Sequence, residues 1–287
     1  MESHSVRERP NGAANGSEFG PAGPMRTFDV KRLGSVVHEI RRGTPAEVVV
    51  IIPLYNYAHT IAEALESVAD QDIEQVSVIV ANDCSADNGE QRAIAFLERH
   101  AARFAEARVV RHHRNQGPSM SRNSGIAHSR EPFVFMLDAD NRIRPPALSR
   151  LLEGLRHSGA AFAYSQLCLF GEQEGIGRGD VWDPARLAVG NYIDTMSMIR
   201  REALLTVGGY AALAEDGQVE DYDLWCRFAE LGLGGVFLPE LLCEYRVHGS
   251  SRSYTTQNYD TVMAEMSLRH PRLVKPPIAA GTTFDAP

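Results

Sequence analysis

The stretch VVVIIPLYNYAHTIAEALESVADQ, residues 48–71, decides the fold. Val48 to Ile52 is a β-branched run apolar at every position, as a strand buried on both faces of a sheet must be. Thr60 to Gln71 then sets Ile61, Leu65 and Val68 on one helical face. Thr60 and Glu63 have the spacing of a capping box. The same grammar repeats downstream. Strands are expected over 76–81, 108–112 and 133–137, and helices over 87–105 and 119–129. A β-α-β-α-β-α-β run of this regularity implies a parallel sheet with right-handed crossovers. Ligands of such sheets bind beyond the carboxyl ends of the strands, so the loops after Ile52, Ala81, His112 and Leu137 are where chemistry is expected.

Beyond residue 141 the pattern is less regular. Helices are expected over 146–157, 201–207 and 222–231, and strands over 161–169, 235–238 and 242–247. The Gly-rich segment 171–180 contains Gly175-Ile-Gly177-Arg-Gly179, which lacks dinucleotide-fingerprint spacing and reads as a surface turn. Residues 1–24 are polar and rich in glycine and proline, a composition that cannot offset its ordering entropy, and are expected to be disordered. Residues 25–43 are basic, with Leu33, Val36, Val37 and Ile40 at helical spacing. They suit a peripheral helix or strand, or a weak membrane-surface contact.

Composition narrows the class. The chain has 287 residues, 44% of them hydrophobic and 23% charged, which suits one α/β domain with tails. A net charge of −8 argues against a nucleic-acid partner. No apolar run approaches the ~20 residues of a membrane span, and no apolar signal core follows Met1. Cys84, Cys168, Cys226 and Cys243 have no metal-type spacing and read as reduced thiols. A cytoplasmic protein is expected, with at most peripheral association at the inner face of the membrane.

Each carboxyl-end loop carries polar groups. Pro53 closes the first strand, Tyr55 offers an aromatic face, and Asn56 stands near the helix start. In Asn82-Asp83-Cys84-Ser85, a carboxylate could cap the next helix or accept from a base or ribose. After the fourth strand, Asp138 and Asp140 are two residues apart; on an extended chain both carboxylates point one way. Adjacent acids repel unless a cation lies between them, and Mg²⁺ or Mn²⁺ is the natural choice. Glu220-Asp221-Tyr222-Asp223 starts a helix, where acids also suit the helix dipole. Trp182 and Trp225 read as packing residues, with sugar stacking a second use for Trp182. The histidines other than His248, including His112, show no partner spacing.

Five segments concur in order: 48–71, VIVANDCSAD (78–87), NQGPSMSRNSGIAHS (115–129), FVFMLDADN (133–141) and EDYDLWCRFAELG (220–232). Over residues 46 to 250 the chain resembles family 2 glycosyltransferases of the glycosyltransferase A-type fold. The resemblance implies a three-layer α-β-α, Rossmann-like domain with a mostly parallel central sheet. It implies an inverting, metal-dependent transferase of hexosyl type, using a UDP-, GDP- or dTDP-sugar donor with Mn²⁺ or Mg²⁺. The acceptor would be a sugar, lipid-linked or other hydroxyl, in polysaccharide, glycolipid or other glycoconjugate biosynthesis. Carried onto this sequence, Pro53, Tyr55 and Asn56 would line the nucleoside pocket and Asp83 would hold the base. Gly117, Arg122 and Asp138 complete the donor set, although Arg122, Asn123 and Gly125 suit a structural role equally. Asp138, Asp140 and His248 would be the metal ligands, Asp221 the general base, and Glu220 the residue orienting the acceptor.

Two departures stand out. Asn82 occupies a position where the family usually has aspartate, which bears on base identity. The Q-x-x-R-W signature of processive synthases is absent, which points to transfer of one sugar per encounter. A non-catalytic nucleotide-sugar binding module is the main rival, and a sugar-1-phosphate nucleotidyltransferase the lesser one, lacking its Gly-rich loop after the first strand. The expected organisation is a tail and peripheral segment (1–43) and a catalytic domain (44–255). That domain divides into a nucleotide-binding half (44–140) and an acceptor half (141–255), and a C-terminal helix and tail (256–287) follows.

Overall fold

The computed structural model describes residues 33–211, 219–249 and 259–276. The tail expected to be disordered, 1–24, lies outside them. Strand β2 (Val48–Leu54) is central. It pairs in parallel with β3 (Val76–Asn82) and with β5 (Phe133–Met136), and β3 pairs in parallel with β4 (Phe104–Arg111). Chain order reverses between β2 and β5, so the crevice at their carboxyl ends is the topological switch point.

Side chains alternate across β2, and this fixes the layers. Val48, Val50 and Ile52 pack against helices α1 (Ile61–Ala69), α2 (Gly89–Arg99) and α4 (Ala147–Ser158). Val49 and Ile51 face the other way. Their core includes residues of α3 (Pro118–His128), α5 (Arg201–Val207), α6 (Glu220–Glu230) and α7 (Tyr259–Arg269). The architecture is the three-layer α-β-α sandwich implied by the sequence, with a parallel central block and both antiparallel and parallel pairings beyond it. Its strand order is β1 (Ser35–Arg41), β4, β3, β2, β5, β9 (Ser197–Arg200), β7 (Phe162–Gly171), β10 (Gly235–Val247), β6 (Arg142–Ile143).

The extensions depart most from expectation. Of the peripheral helix or strand expected over 25–43, residues 35–41 form the strand, β1 (Ser35–Arg41), antiparallel to β4 at the sheet edge. Two short elements, β6 (Arg142–Ile143) and β9 (Ser197–Arg200), have no periodicity of their own and exist through their partners. β7 (Phe162–Gly171) pairs with β8 (Gly175–Ile176), which folds back within the segment expected to be a turn. β10 (Gly235–Val247) is one strand where two were expected; register shifts beside Leu238 and Leu241 absorb Pro239 and Glu240. Pro53 does not end β2, which continues to Leu54 opposite Asn82. Its missing donor faces the side of β5, which has already ended at Met136.

The second helix is shorter than expected, ending at Arg99, and Phe104 already begins β4. Arg103 explains the boundary. Its guanidinium donates to the carbonyls of Ala69 (2.6 Å), Gln71 (2.8 Å), Ile73 (2.9 Å) and Glu74 (3.1 Å), which fixes the turn. The expected capping box at Thr60 is not made; Thr60 supplies no side-chain cap, and Glu63 pairs with Arg142 and Arg246 instead. α7 is part of the domain, burying Met263 and Met266 in the second core. Among the described residues no helix is long and apolar enough to cross a membrane.

Gly125 sets how closely α3 approaches β2: a Cβ there would lie 2.3 Å from Cγ2 of Ile51. Gly125→Ala is therefore expected to destabilise the fold by about 1–3 kcal/mol through overpacking. Urea unfolding would show it as a lower midpoint at unchanged m-value, and an unshifted midpoint would refute the close approach.

Candidate donor and acceptor site

The site is built at the switch point. On one side the loop after β2 meets the loop after β3. Asn56 adopts φ +58°. Its side-chain oxygen accepts from the Ala86 amide at 2.8 Å, and its own amide donates to Ser85 Oγ at 3.1 Å. Tyr55 stays exposed at the mouth. Asn82 donates to Glu90 Oε2 at 2.7 Å. Glu90 also accepts from Arg111, at 2.7 Å from Nε. An aspartate at 82 would face that buried carboxylate without a proton to share, which accounts for the departure to asparagine.

Asp83 is buried, and both its oxygens are engaged by the chain itself. Oδ1 accepts from His112 Nδ1 at 2.7 Å and from the Gln116 amide at 2.9 Å; Oδ2 accepts from the Gly117 amide at 2.7 Å. Asp83 thus organises the Gln116–Gly117 turn, where the sequence reading had it facing a base. His112, read as unpartnered, bridges Asp83 to Ser124 Oγ (2.7 Å) on α3. All three side chains are buried, and the Asp-His-Ser chain braces α3 against the loop after β3.

On the far side, Asp138 and Asp140 do not follow strand alternation. β5 ends at Met136, and a turn follows in which the Asn141 amide donates to the Asp138 carbonyl at 3.1 Å. The two carboxylates part: Asp138 Oδ1 accepts from Arg122 at 2.9 Å, while Asp140 Oδ2 lies 3.0 Å from His248 Nε2. Among the described residues no three His, Cys, Asp or Glu side chains converge as a metal cage. Of the three expected ligands the fold brings together Asp140 and His248 and turns Asp138 to Arg122. Burial and the Asp138 charge raise the Asp140 carboxyl above its ordinary value, with His248 opposing them. This acid-rich N/O donor pair fits a hard divalent ion that takes its remaining ligands from phosphate. Arg246 buttresses the turn, donating to the Asp140 carbonyl at 2.8 Å and, through its amide, to Asn141 Oδ1 at 2.8 Å.

The acceptor side is the start of α6. Glu220 Oε1 accepts from Arg122 at 2.7 Å. Asp221 accepts from Asn191 Nδ2 at 2.9 Å and from the Tyr222 amide at 2.7 Å. Burial first, then the charges of Glu220 and Asp194, lift the Asp221 carboxyl well above the carboxylate range. Asp194 was missed in the sequence because its polar segment has no periodicity. Met198 of β9 lies opposite Phe135, so the chain leading into β9 passes beside the Asp138 turn. Burial and Asp138 push the Asp194 carboxyl up to about 7.

Asp223 has another task. It is fully buried, at 2.7 Å from Arg227 Nε and Arg269 Nε and 3.2 Å from His270 Nε2, so it ties α6 to α7. Its carboxyl is held far below the usual range by these partners, against the opposing effect of burial. Such a group contributes stability that is present above its unfolded pKa and lost as pH falls. Asp223→Ala should cost about 1–3 kcal/mol by removing the buried acceptor that Arg227, Arg269 and His270 share. Chemical denaturation at neutral pH tests this, and a loss within error of zero would count against the lock. Trp225 is fully buried, stacked on Phe162 at 4.6 Å; Trp182 meets the same ring edge-on at 5.1 Å. Both serve packing.

The family model described as glycosyl transferase family 2 matches residues 49–208. The putative glycosyltransferase EpsE of Bacillus subtilis (strain 168) is 25% identical over 238 residues, covering 79% of this chain and 84% of EpsE. The succinoglycan biosynthesis protein ExoO of Rhizobium meliloti (strain 1021) is 34% identical over 121 residues, 42% of this chain and 33% of ExoO. S. aureus TarS 1-349, solved with UDP-GlcNAc, superposes with TM-score 0.63 at 17% identity, over 78% of this chain and 66% of that one. The mannosyltransferase PcManGT of Pyrobaculum calidifontis, solved with GDP-Man and Mn²⁺, gives 0.57 at 18%, over 81% and 64%. Likeness at such identity is one of fold. The family model spans more than half of the sequence, and the chain belongs to glycosyl transferase family 2.

Proposed function

We propose that the chain transfers one sugar from a nucleotide-diphospho-sugar to an acceptor hydroxyl, with inversion at the anomeric carbon. The observation that supports this reading is that Arg122 joins Asp138, in the turn after β5, to Glu220, the chain neighbour of the half-buried Asp221. Inversion by single displacement needs a base on the face opposite the departing nucleotide. Asp221 takes the acceptor proton as the new bond forms, and Asn191 holds its carboxylate in orientation. Glu220 orients the acceptor. The donor nucleoside lies against Tyr55 on the turn braced by Asn56, Asp83 and Gly117, with Pro53 beneath. A Mn²⁺ or Mg²⁺ ion held by Asp140, His248 and the donor diphosphate would stabilise charge on the leaving nucleotide.

The names of EpsE and ExoO support a setting in polysaccharide or other glycoconjugate assembly. We place the protein in the cytoplasm or at the inner face of its membrane, with a sugar or lipid-linked hydroxyl as acceptor. The nucleotide-binding half is 44–140 and the acceptor half 141–255. The test is a panel of UDP-, GDP- and dTDP-sugars with Mn²⁺, following release of nucleoside diphosphate and the product's anomeric configuration by NMR. Retention of configuration would overturn the mechanism. Tight nucleotide binding with no turnover across the panel would mark a binding module.

A further inference from the structure

We infer that Arg122 is a positioning residue that ties the donor-side acid Asp138 to the acceptor-side acid Glu220, so that the two half-sites are set together. The inference rests on the donor and acceptor reading above and goes beyond it. One guanidinium nitrogen donates to Asp138 Oδ1 at 2.9 Å and the other to Glu220 Oε1 at 2.7 Å. These acids come from distant parts of the chain, the turn after β5 and the start of α6. Arg122 is buried, and so is its Glu220 partner, while Asp138 reaches the surface with part of its side chain.

The guanidinium is held by its surroundings. It sits 5.3 Å from the ring centre of Tyr210. The neighbouring Asn123 fixes that tyrosine by two backbone bonds, donating to its carbonyl and accepting from its amide, each at 2.8 Å. One turn on, Gly125 seats α3 against Ile51 of β2. A lysine could not do the same, because a single ammonium lacks the planar fork that reaches two carboxylates at once. Arg122 Nε and Glu220 Oε2 are buried without a hydrogen-bond partner among the described residues, capacity the linked pair keeps unspent.

If Glu220 anchors one arm of the fork, losing it should disorient the other arm and with it Asp138. A residue on the acceptor side then alters donor affinity. The probes are UDP and GDP with Mn²⁺, titrated calorimetrically into folded protein checked by thermal melting. Glu220→Ala should weaken the better-bound nucleotide by about three- to tenfold. Glu220→Gln keeps an oxygen for the same guanidinium nitrogen and should restore affinity to within about twofold of wild type. In an Arg122→Lys background, Glu220→Ala should change affinity by less than about twofold. A merely structural role for Glu220 would not give rescue by glutamine together with loss of the effect in the lysine background. Unchanged affinity in Glu220→Ala, or an equal loss in both backgrounds, would overturn the coupling. Failure of wild-type protein to bind either nucleotide would instead overturn the donor reading, and the coupling with it.

Discussion

Asp221→Asn is expected to lower the transfer rate by ~10²–10⁴-fold while leaving donor affinity close to wild type. The substitution keeps the side chain's shape and one carbonyl oxygen, so Asn191 and the Tyr222 amide can still hold it in place. What it removes is basicity. The pH profile carries a second, independent signature. Burial and the neighbouring Glu220 and Asp194 raise the Asp221 carboxyl, so at acidic pH it is protonated and cannot accept the acceptor's proton. The wild-type rate should therefore climb with pH along a limb above the ordinary carboxylate range, and that limb should be missing from the residual activity of Asp221→Asn. Rate and donor dissociation constant are to be measured in one preparation. Transfer within a few-fold of wild type would falsify Asp221 as the base. Glu220 would be next to test, because Asp223 is fully buried among Arg227, Arg269 and His270.

Asp140→Ala should weaken Mn²⁺-dependent donor binding by about 100-fold or more, since loss of even an outer-shell metal partner costs 10–100-fold. The fold should survive. The Asp140 contacts that brace the turn run through its backbone carbonyl to Arg246, and alanine keeps that carbonyl. Asp138→Asn makes the informative contrast. It leaves the Asp140–His248 pair intact, weakens the ion pair to Arg122 and removes a charge that raises the Asp140 carboxyl. Calorimetry with and without Mn²⁺ separates the two. Asp140→Ala should lose the metal-dependent part of the affinity, and Asp138→Asn should retain a metal response. An Mn²⁺ response equal to wild type in Asp140→Ala would exclude it as a ligand.

Much of the fold was legible in one dimension, for reasons that are local. A strand buried on both faces must be apolar at every position, and a helix lying on a sheet must show one apolar stripe. Those two rules located β2, β3, β5 and α1 to within a few residues. The motif order around Asp83, Asp138 and Glu220-Asp221 carried the family. Chemical type was legible too: acids at strand ends announce a site before any distance is known.

Elements that exist only through a partner were not legible. β9 has four residues and acquires its place from β5 and β7, so Asp194 could not be set beside Asp138 from its own neighbourhood. Helix and strand were both open for the segment holding β1, and pairing with the edge of β4 decided for strand. The end of α2 was set by Arg103 reaching four carbonyls of the α1–β3 connection.

The sequence by itself determined the layer order, the parallel central block and the identity of the acids at the crevice, because backbone pattern and side-chain type are properties of adjacent residues. Only the tertiary structure decided how those acids pair. Asp138 went to Arg122 and Asp140 to His248, Asp83 was taken inward by His112, and Asp223 was spent on α7. The physical reason is that a carboxylate leaving water must find a donor within about 3 Å, and which donor stands there depends on chain segments up to about a hundred residues away.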